Sequence, residues 1–318
     1  MTLPVVESNR PADRISAEDP RRHLLDLTDD QLSDRLREQG QPAFRAKQIH
    51  DWVFTRRVSD FERMTNLPSG LRSELDANFR VFVSREAQSV SAGDGTDKLL
   101  VRLPDGGEVE CVLLRDGHRR SICVSSQVGC AMGCVFCASG LDGVERNLTR
   151  GEILEQMLRL QARLADGQRL SHIVMMGMGE PLANLDRVLG ALGVASDPAG
   201  LGISPRRITI NTVGLPPAID RLARHGVPYN LAVSLHAPND DLRSQLVPVN
   251  EKVGIDAVLG AADRYFAASG RRLTFEYVLL GGINDSPAHA QQLVTLLRRR
   301  TALLNVIPYN PVAGLPYR

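Results

Sequence analysis

Gly129-Cys130-Ala131-Met132-Gly133-Cys134-Val135-Phe136-Cys137 gathers three of the chain's five cysteines within eight residues, at a C-x3-C-x2-C spacing. Three thiolates this close in sequence can face one small inorganic cluster. A [4Fe-4S] cube held entirely by protein takes four thiolates. Three cysteines therefore leave one iron without a protein ligand, much as a catalytic zinc keeps one position open, and a small molecule can chelate there. The alternative is a structural zinc site in which Cys123 joins Cys130, Cys134 and Cys137, although zinc ribbons usually pair two C-x2-C knuckles.

The cysteine loop directly follows a candidate strand over residues 121–125, in which Cys123 and Ser125 share one face and Ile122 and Val124 the other. From there the pattern becomes strand then helix, repeated, which is the mark of a parallel sheet. Further strands are expected over residues 172–176, 207–212, 230–235, 273–279 and 303–308. Between them, Thr149-Arg150-Gly151-Glu152 is a capping box leading into Ile153, Met157, Leu160 and Leu164 at helical spacing. Other helices are expected over residues 217–225, 255–269 and 287–300. The fold class is α/β, an open six-stranded parallel (βα)6 partial TIM barrel, whose chemistry gathers at the C-terminal ends of the strands.

The unusual motifs fall at those ends. After the second strand, Met175-Met176-Gly177-Met178-Gly179-Glu180-Pro181-Leu182 offers two glycines, where backbone can approach a ligand, and a carboxylate that can accept from an amino group. The alternative is a plain turn with methionines as core filler. The third strand ends in Asn211-Thr212-Val213-Gly214 and the fourth in Ser234-Leu235-His236; His236 is either a satisfied core histidine or part of a site. The sixth runs into Pro308-Tyr309-Asn310-Pro311, whose prolines fix a rigid loop presenting Asn310.

Upstream of the barrel, expected to span residues 119–318, the chain divides into three parts. Residues 1–22 are a polar lead and residues 23–95 a small helical module. In the module, Thr28-Asp29-Asp30-Gln31 is a capping box for a helix that stops at Gly40, and further helices are expected over residues 43–54 and 69–78. Arg45, Lys47, Arg56 and Arg57 make it either a nucleic-acid-binding bundle or a helical face solvated by charge. Residues 96–118 form a β-hairpin extension that turns at Pro104-Asp105-Gly106-Gly107. On its returning strand, Glu110 lies among apolar neighbours, so it either faces solvent or lines a site. Cys111 points to the opposite face and reads as a small buried hydrophobe.

Of the 318 residues, 43% are hydrophobic and 24% charged, with net charge +1, as in an ordinary globular protein. That balance makes no electrostatic case for a nucleic-acid partner, while leaving room for a local basic patch. No run of 18 apolar residues appears and the N-terminus has no apolar signal core, so a cytoplasmic protein without a membrane partner is expected. An odd, clustered set of cysteines fits a reducing compartment. Nothing suggests more than a monomer.

Taken in order, SICVSSQVGC, GCAMGCVFC, MMGMGEPL, INTVG, SLHAPND, TFEYVLLGGIND and NVIPYNP resemble the RlmN/Cfr branch of the radical S-adenosylmethionine (SAM) superfamily, from about Phe44 onward. The resemblance implies a [4Fe-4S] cluster on Cys130, Cys134 and Cys137, with SAM chelating the open iron and cleaved to a 5′-deoxyadenosyl radical. It implies methylation of C2, or alternatively C8, of an adenine in 23S rRNA, with some transfer RNAs as further substrates of the C2 enzymes. An electron donor such as flavodoxin or ferredoxin is implied too. Gly179 and Glu180 would hold the amino group of SAM, and Ser234, Leu235, His236 and Asn310 its remaining parts. Asn211 stands at a SAM-contact position where the family usually has serine; both side chains hydrogen-bond. Glu110 matches the family's proton acceptor and Cys123 its resolving cysteine.

The family's mechanism also needs a methyl-bearing cysteine near the C-terminus, and here no cysteine follows Cys137 before the sequence stops at Arg318. The sequence as written is therefore expected to bind cluster and SAM without completing a methylation. The alternative function is a radical SAM protein that binds cluster and SAM but does not act on RNA.

Overall fold

The computed structural model describes residues 21–318, so all but the end of the polar lead lies outside the described residues. These residues fold as two compact units.

The first unit groups residues 21–125 with Leu148–Ile173 and Asp186–Ser204. It begins with β1 (Arg22–His23) and the helices α1 (Asp29–Glu38), α2 (Phe44–His50) and α3 (Ser69–Asn78). Both halves of the expected capping box form at α1: the Thr28 side chain accepts from the Gln31 N–H, and the Gln31 side chain accepts from the Thr28 N–H. The single helix expected over residues 43–54 is instead α2 followed by a wider π turn, Asp51–Thr55, with Trp52, Val53 and Phe54 buried.

β2 (Phe79–Arg80) pairs with β1, and then β3 (Arg85–Ser91), β4 (Asp97–Arg102), β5 (Glu108–Asp116) and β6 (Arg119–Cys123) form an antiparallel meander. Strict alternation sets its faces: Leu99, Val101, Val109, Cys111 and Leu113 point inward, each at most 1% exposed. α4 (Arg150–Gln161) starts at the second capping box, and α5 (Leu185–Ser196), which the sequence reading did not predict, completes the unit. α4 is buried nearly all round, so its polar residues need partners. Glu155 accepts from the N–H of Val83 and Ser84, from the Ser84 hydroxyl and from Arg159 at 2.8 Å, with His23 3.5 Å away. Burial pushes the Glu155 carboxyl up, but Arg159, His23 and these bonds outweigh it and hold the group below the usual carboxylate range.

The second unit groups Ser126–Asn147, Val174–Leu185 and Pro205–Arg318. A small antiparallel ribbon, β7 (Gln127–Gly129) with β8 (Val144–Asn147), brackets the cysteine loop. β9 (His172–Met175), β10 (Ile208–Thr212), β11 (Asn230–Ser234), β12 (Leu273–Leu279) and β13 (Ala302–Pro308) follow one another in the sheet order, with the pairs from β10 to β13 parallel. Helices α6 (Pro216–His225), α7 (Asp240–Leu246), α8 (Ile255–Ser269) and α9 (Pro287–Leu297) connect them. One sheet face is mostly apolar: Ile208, Ile210, Leu231, Val233, Leu273 and Phe275 are at most 1% exposed. α6 and α8 pack against each other, and Tyr265 of α8 donates to the Tyr229 carbonyl at the foot of β11. The bounds of β12 and α8 coincide with those expected, and the other predicted strands agree to within two residues.

Candidate active site

The cysteine loop is held by its own backbone. Cys130 N–H donates to Gly143 O at 2.7 Å, Val135 N–H to Leu246 O at 3.1 Å, and Cys137 N–H to Cys134 O at 3.1 Å. Gly129 opens the loop in the left-handed region (φ +71), and a Cβ there would stand 2.1 Å from Gly143 O. No other residue fits.

Cys130, Cys134 and Cys137 are half-buried thiols. Burial pushes the Cys130 and Cys134 thiols up, Cys134 to about 12, so a metal must displace their protons at neutral pH. Cys137 and Cys130 both act on the Cys134 thiol, so the three stand together, and a set of three thiolate donors fits a [4Fe-4S] cube with one iron left open.

Beside the loop, Gly179 (φ +97) lies so close to Gln127 that a Cβ would meet the Gln127 side chain at 2.5 Å. Gln127 Oε1 accepts from the Glu180 N–H at 2.7 Å, and Ser126 N–H donates to Met178 O at 2.8 Å. Glu180 itself is 2% exposed, its Oε1 accepting from Leu182 N–H and its Oε2 from Val213 N–H, each at 2.9 Å. Burial raises its pKa to about 7 despite these bonds. The two-glycine loop is thus a built seat for a buried carboxyl, not a plain turn.

The sheet face opposite the apolar one is polar. In register, Ser234 on β11 stands beside Glu276 on β12 and Glu276 beside Asn305 on β13, while Asn211 on β10 pairs with Ala232, which shares Ser234's face. Asn211 Nδ2 donates to Ser234 Oγ at 3.2 Å and Asn305 Nδ2 to Glu276 Oε2 at 2.6 Å. Parallel sheets are normally apolar on both faces, so a polar row is the mark of a face turned to a ligand. Glu276 and Asn305 were missed from sequence, although Thr274 and Glu276 alternate within β12 and Asn305 is the one polar letter of β13.

At the end of β11, Leu235 is fully buried and His236 adopts a left-handed backbone (φ 57). His236 Nδ1 accepts from Val278 N–H at 3.1 Å, which leaves the ring proton on Nε2. Burial, with Arg243 nearby, depresses its pKa to about 3, so the imidazole is neutral. Its ring meets Phe136 of the cysteine loop. Arg243 of α7 gathers the strand ends: it donates to Leu235 O and Ser234 O, each at 3.0 Å, to Val213 O, and to Asn250 Oδ1 at 2.6 Å. No sequence signal distinguished it from the surface arginines.

Asn310 is exposed in the loop after β13. Glu110 and Cys123 belong to the first unit. The register pairs Val112 with Cys123, so Glu110 and Cys123 share one face as diagonal neighbours. Glu110 faces solvent and ion-pairs with Lys98 at 2.9 Å; Cys111, on the other face, is 1% exposed. Of the four basic residues singled out in the helical module, Arg57 is half-buried and committed to the protein's own backbone, donating to the carbonyls of Gln161, Leu164 and Gln168. Arg56 pairs with Asp51 and lies over Trp52, and Arg45 lies over Phe44, whereas Lys47 is exposed.

Residues 124–294 match the Radical SAM superfamily, and residues 22–81 match the Ribosomal RNA large subunit methyltransferase N-terminal domain. The chain is 69% identical over 318 residues to the probable dual-specificity RNA methyltransferase RlmN of Rhodopirellula baltica, covering 100% of this chain and 85% of the relative. It is 46% identical over 301 residues to the protein of that name from Symbiobacterium thermophilum, covering 94% of this chain and 81% of the relative. The crystal structure of a radical SAM methyltransferase from Sphaerobacter thermophilus superposes with a TM-score of 0.90 at 44% identity, over 93% of this chain and 87% of that one. The α/β fold is that of a radical SAM enzyme, and the superfamily implies a [4Fe-4S] cluster and SAM as cofactors. The chain belongs to the radical SAM superfamily and, within it, to the RlmN family of RNA methyltransferases.

Proposed function

We propose that the chain serves RlmN-type methylation of C2 of an adenine in 23S rRNA, and of adenine in transfer RNA, acting in the cytoplasm with a [4Fe-4S] cluster on Cys130, Cys134 and Cys137, and SAM. The methyl-bearing cysteine that this reaction needs is not among the five in this sequence. The observation that supports this most directly is the convergence of the strand ends: Glu180 and Arg243 hold one residue, Val213, by its backbone N–H and its C=O respectively, beside the Asn211 and Ser234 pair. When bound, the cluster and SAM supply one-electron chemistry and the methyl group.

The chain's own residues do the rest. Glu180, fixed by two backbone donors, presents its remaining lone pairs to the amino group of SAM, with Gly179 keeping the backbone close. Asn211, Ser234, Leu235, His236 and Asn310 hold its other parts, and the neutral His236 offers only its Nε2 proton. Glu110 accepts the adenine proton, and Cys123, on the same face, is the thiol that assists release. The helical module contributes RNA affinity, with Lys47 as an exposed cation.

The test is anaerobic reconstitution of the protein, incubation with SAM, reductant and an rRNA fragment, and mass spectrometry of the nucleosides. Formation of 2-methyladenosine, lost in Cys134→Ala, is expected of the enzyme from its native source. The 318-residue sequence, with no cysteine after Cys137, is expected to bind cluster, SAM and RNA without forming it. Methylation at C8, or binding of cluster and SAM with no salt-sensitive RNA affinity, would overturn the assignment.

A further inference from the structure

Arg243 heads the fully buried side chains of the described residues by volume, with 1% exposure. Every acceptor it reaches is neutral: three backbone carbonyls, those of Val213, Ser234 and Leu235, and the Asn250 carboxamide. Burial lowers its pKa to about 10, which leaves the guanidinium charged at neutral pH. A buried charge without a counter-ion is costly, and proteins normally place an anion against it. The cysteine loop packs beside this cation. Val213, whose carbonyl Arg243 holds, and Leu246 of α7 share one apolar cluster with Phe136, Cys134 and Cys137 pack against that cluster, and Val135 N–H donates to Leu246 O at 3.1 Å. The acidic groups that act on Arg243 are the Cys134 thiol and Asp240. Asp240 is exposed, and its Oδ1 already accepts from Asn250 Nδ2 and from Ile255 N–H, each at 2.8 Å. The group left to balance Arg243 is therefore on the cysteine loop.

We propose that Arg243 is the counter-ion of the cluster carried by Cys130, Cys134 and Cys137. It is a positioning residue with two effects, and it rests on the assignment of the cluster to this loop. Its hydrogen bonds lock the ends of β10 and β11, where Val213, Ser234 and Leu235 stand. Its fixed charge offsets the thiolates and favours the reduced cluster, which holds one electron more, because net charge and nearby dipoles set the potentials of such clusters. In a water-poor interior this field is poorly screened.

The experiment compares wild type, Arg243→Lys and Arg243→Gln in the full chain after anaerobic reconstitution, without SAM or RNA. Iron and sulfide per chain are measured first, and the midpoint potential of the cluster is then read by electron paramagnetic resonance during a redox titration. Wild type lacking a [4Fe-4S] signal would sink the cluster assignment itself. With the cluster present, Arg243→Gln is expected to make reduction at least tenfold less favourable, which is about 59 mV for one electron. Arg243→Lys, which keeps the charge and loses the fork of hydrogen bonds, should stay within about threefold of wild type. Equal potentials in all three proteins, or a tenfold loss in Arg243→Lys, would overturn the counter-ion role. Should Arg243→Gln fail to fold, Arg243→Met, which also removes the charge, takes its place by the same limits.

Discussion

Phe136 meets His236 edge-on, with ring centroids 5.0 Å apart and planes at 77°. Phe136 sits between the second and third cysteines, so this pair ties the cysteine loop to the end of β11. Phe136 belongs to a small apolar cluster with Val213, Ala237, Leu246, Val247 and Leu280. Phe136→Ala removes the ring and leaves a cavity, at a cost of about 3–5 kcal/mol. A drop in melting temperature together with loss of iron on gel filtration is expected; unchanged iron content would show that the loop stands without the pair.

Glu180 makes stability pH-dependent. Its ordinary value of 4.5 rises to about 7 in the fold, so the folded state binds the extra proton. Its contribution is fully present below pH 4.5 and is lost as pH rises through 7, by ~3 kcal/mol. Denaturant titrations of the metal-free protein between pH 5 and 8 should show this decline, and Glu180→Gln should flatten it while weakening SAM binding at least tenfold. An equal slope in the variant would rule Glu180 out as its source.

Glu155 acts in the opposite sense. Its carboxyl lies below the usual range, so its contribution is present above its ordinary value of 4.5 and is lost as pH falls through the folded value. Glu155→Gln leaves Arg159 and His23 facing a neutral group and should cost about 3–5 kcal/mol at pH 7. The acid limb of the stability curve should shrink in the same variant.

Glu110 separates chemistry from structure. It and Lys98 are each about half exposed, at 46% and 49%, and such pairs contribute about 0–1 kcal/mol. Glu110→Gln should therefore leave melting temperature and SAM affinity unchanged and, in the enzyme from its native source, reduce methylation at least a hundredfold. Methylation within threefold of wild type would remove Glu110 from the reaction.

What could be foreseen from sequence divides by range of interaction. The capping boxes at Thr28 and Thr149 and the pattern of α8 are local, and the structure reproduces them. The cysteine loop and the Gly179-Glu180 pair are local too, and their geometry follows from backbone that only glycine can adopt. The short helix α7 escaped notice, although Asn239 caps it by accepting from Leu242 N–H. Arg57 and Arg243 look alike as letters, yet Arg57, half-buried, and Arg243, buried, both donate to carbonyls distant in sequence. Long-range partners of that kind leave no periodic trace.

The bonds that hold the cysteine loop, Cys130 to Gly143 and Val135 to Leu246, run through backbone and involve no sulfur. The loop is preorganised, so metal uptake is a docking event and not a folding event, unlike a zinc finger that collapses without its ion. Chelation should bleach such a protein without unravelling it, and the emptied loop should resist proteolysis and accept a new cluster without passing through a disordered state.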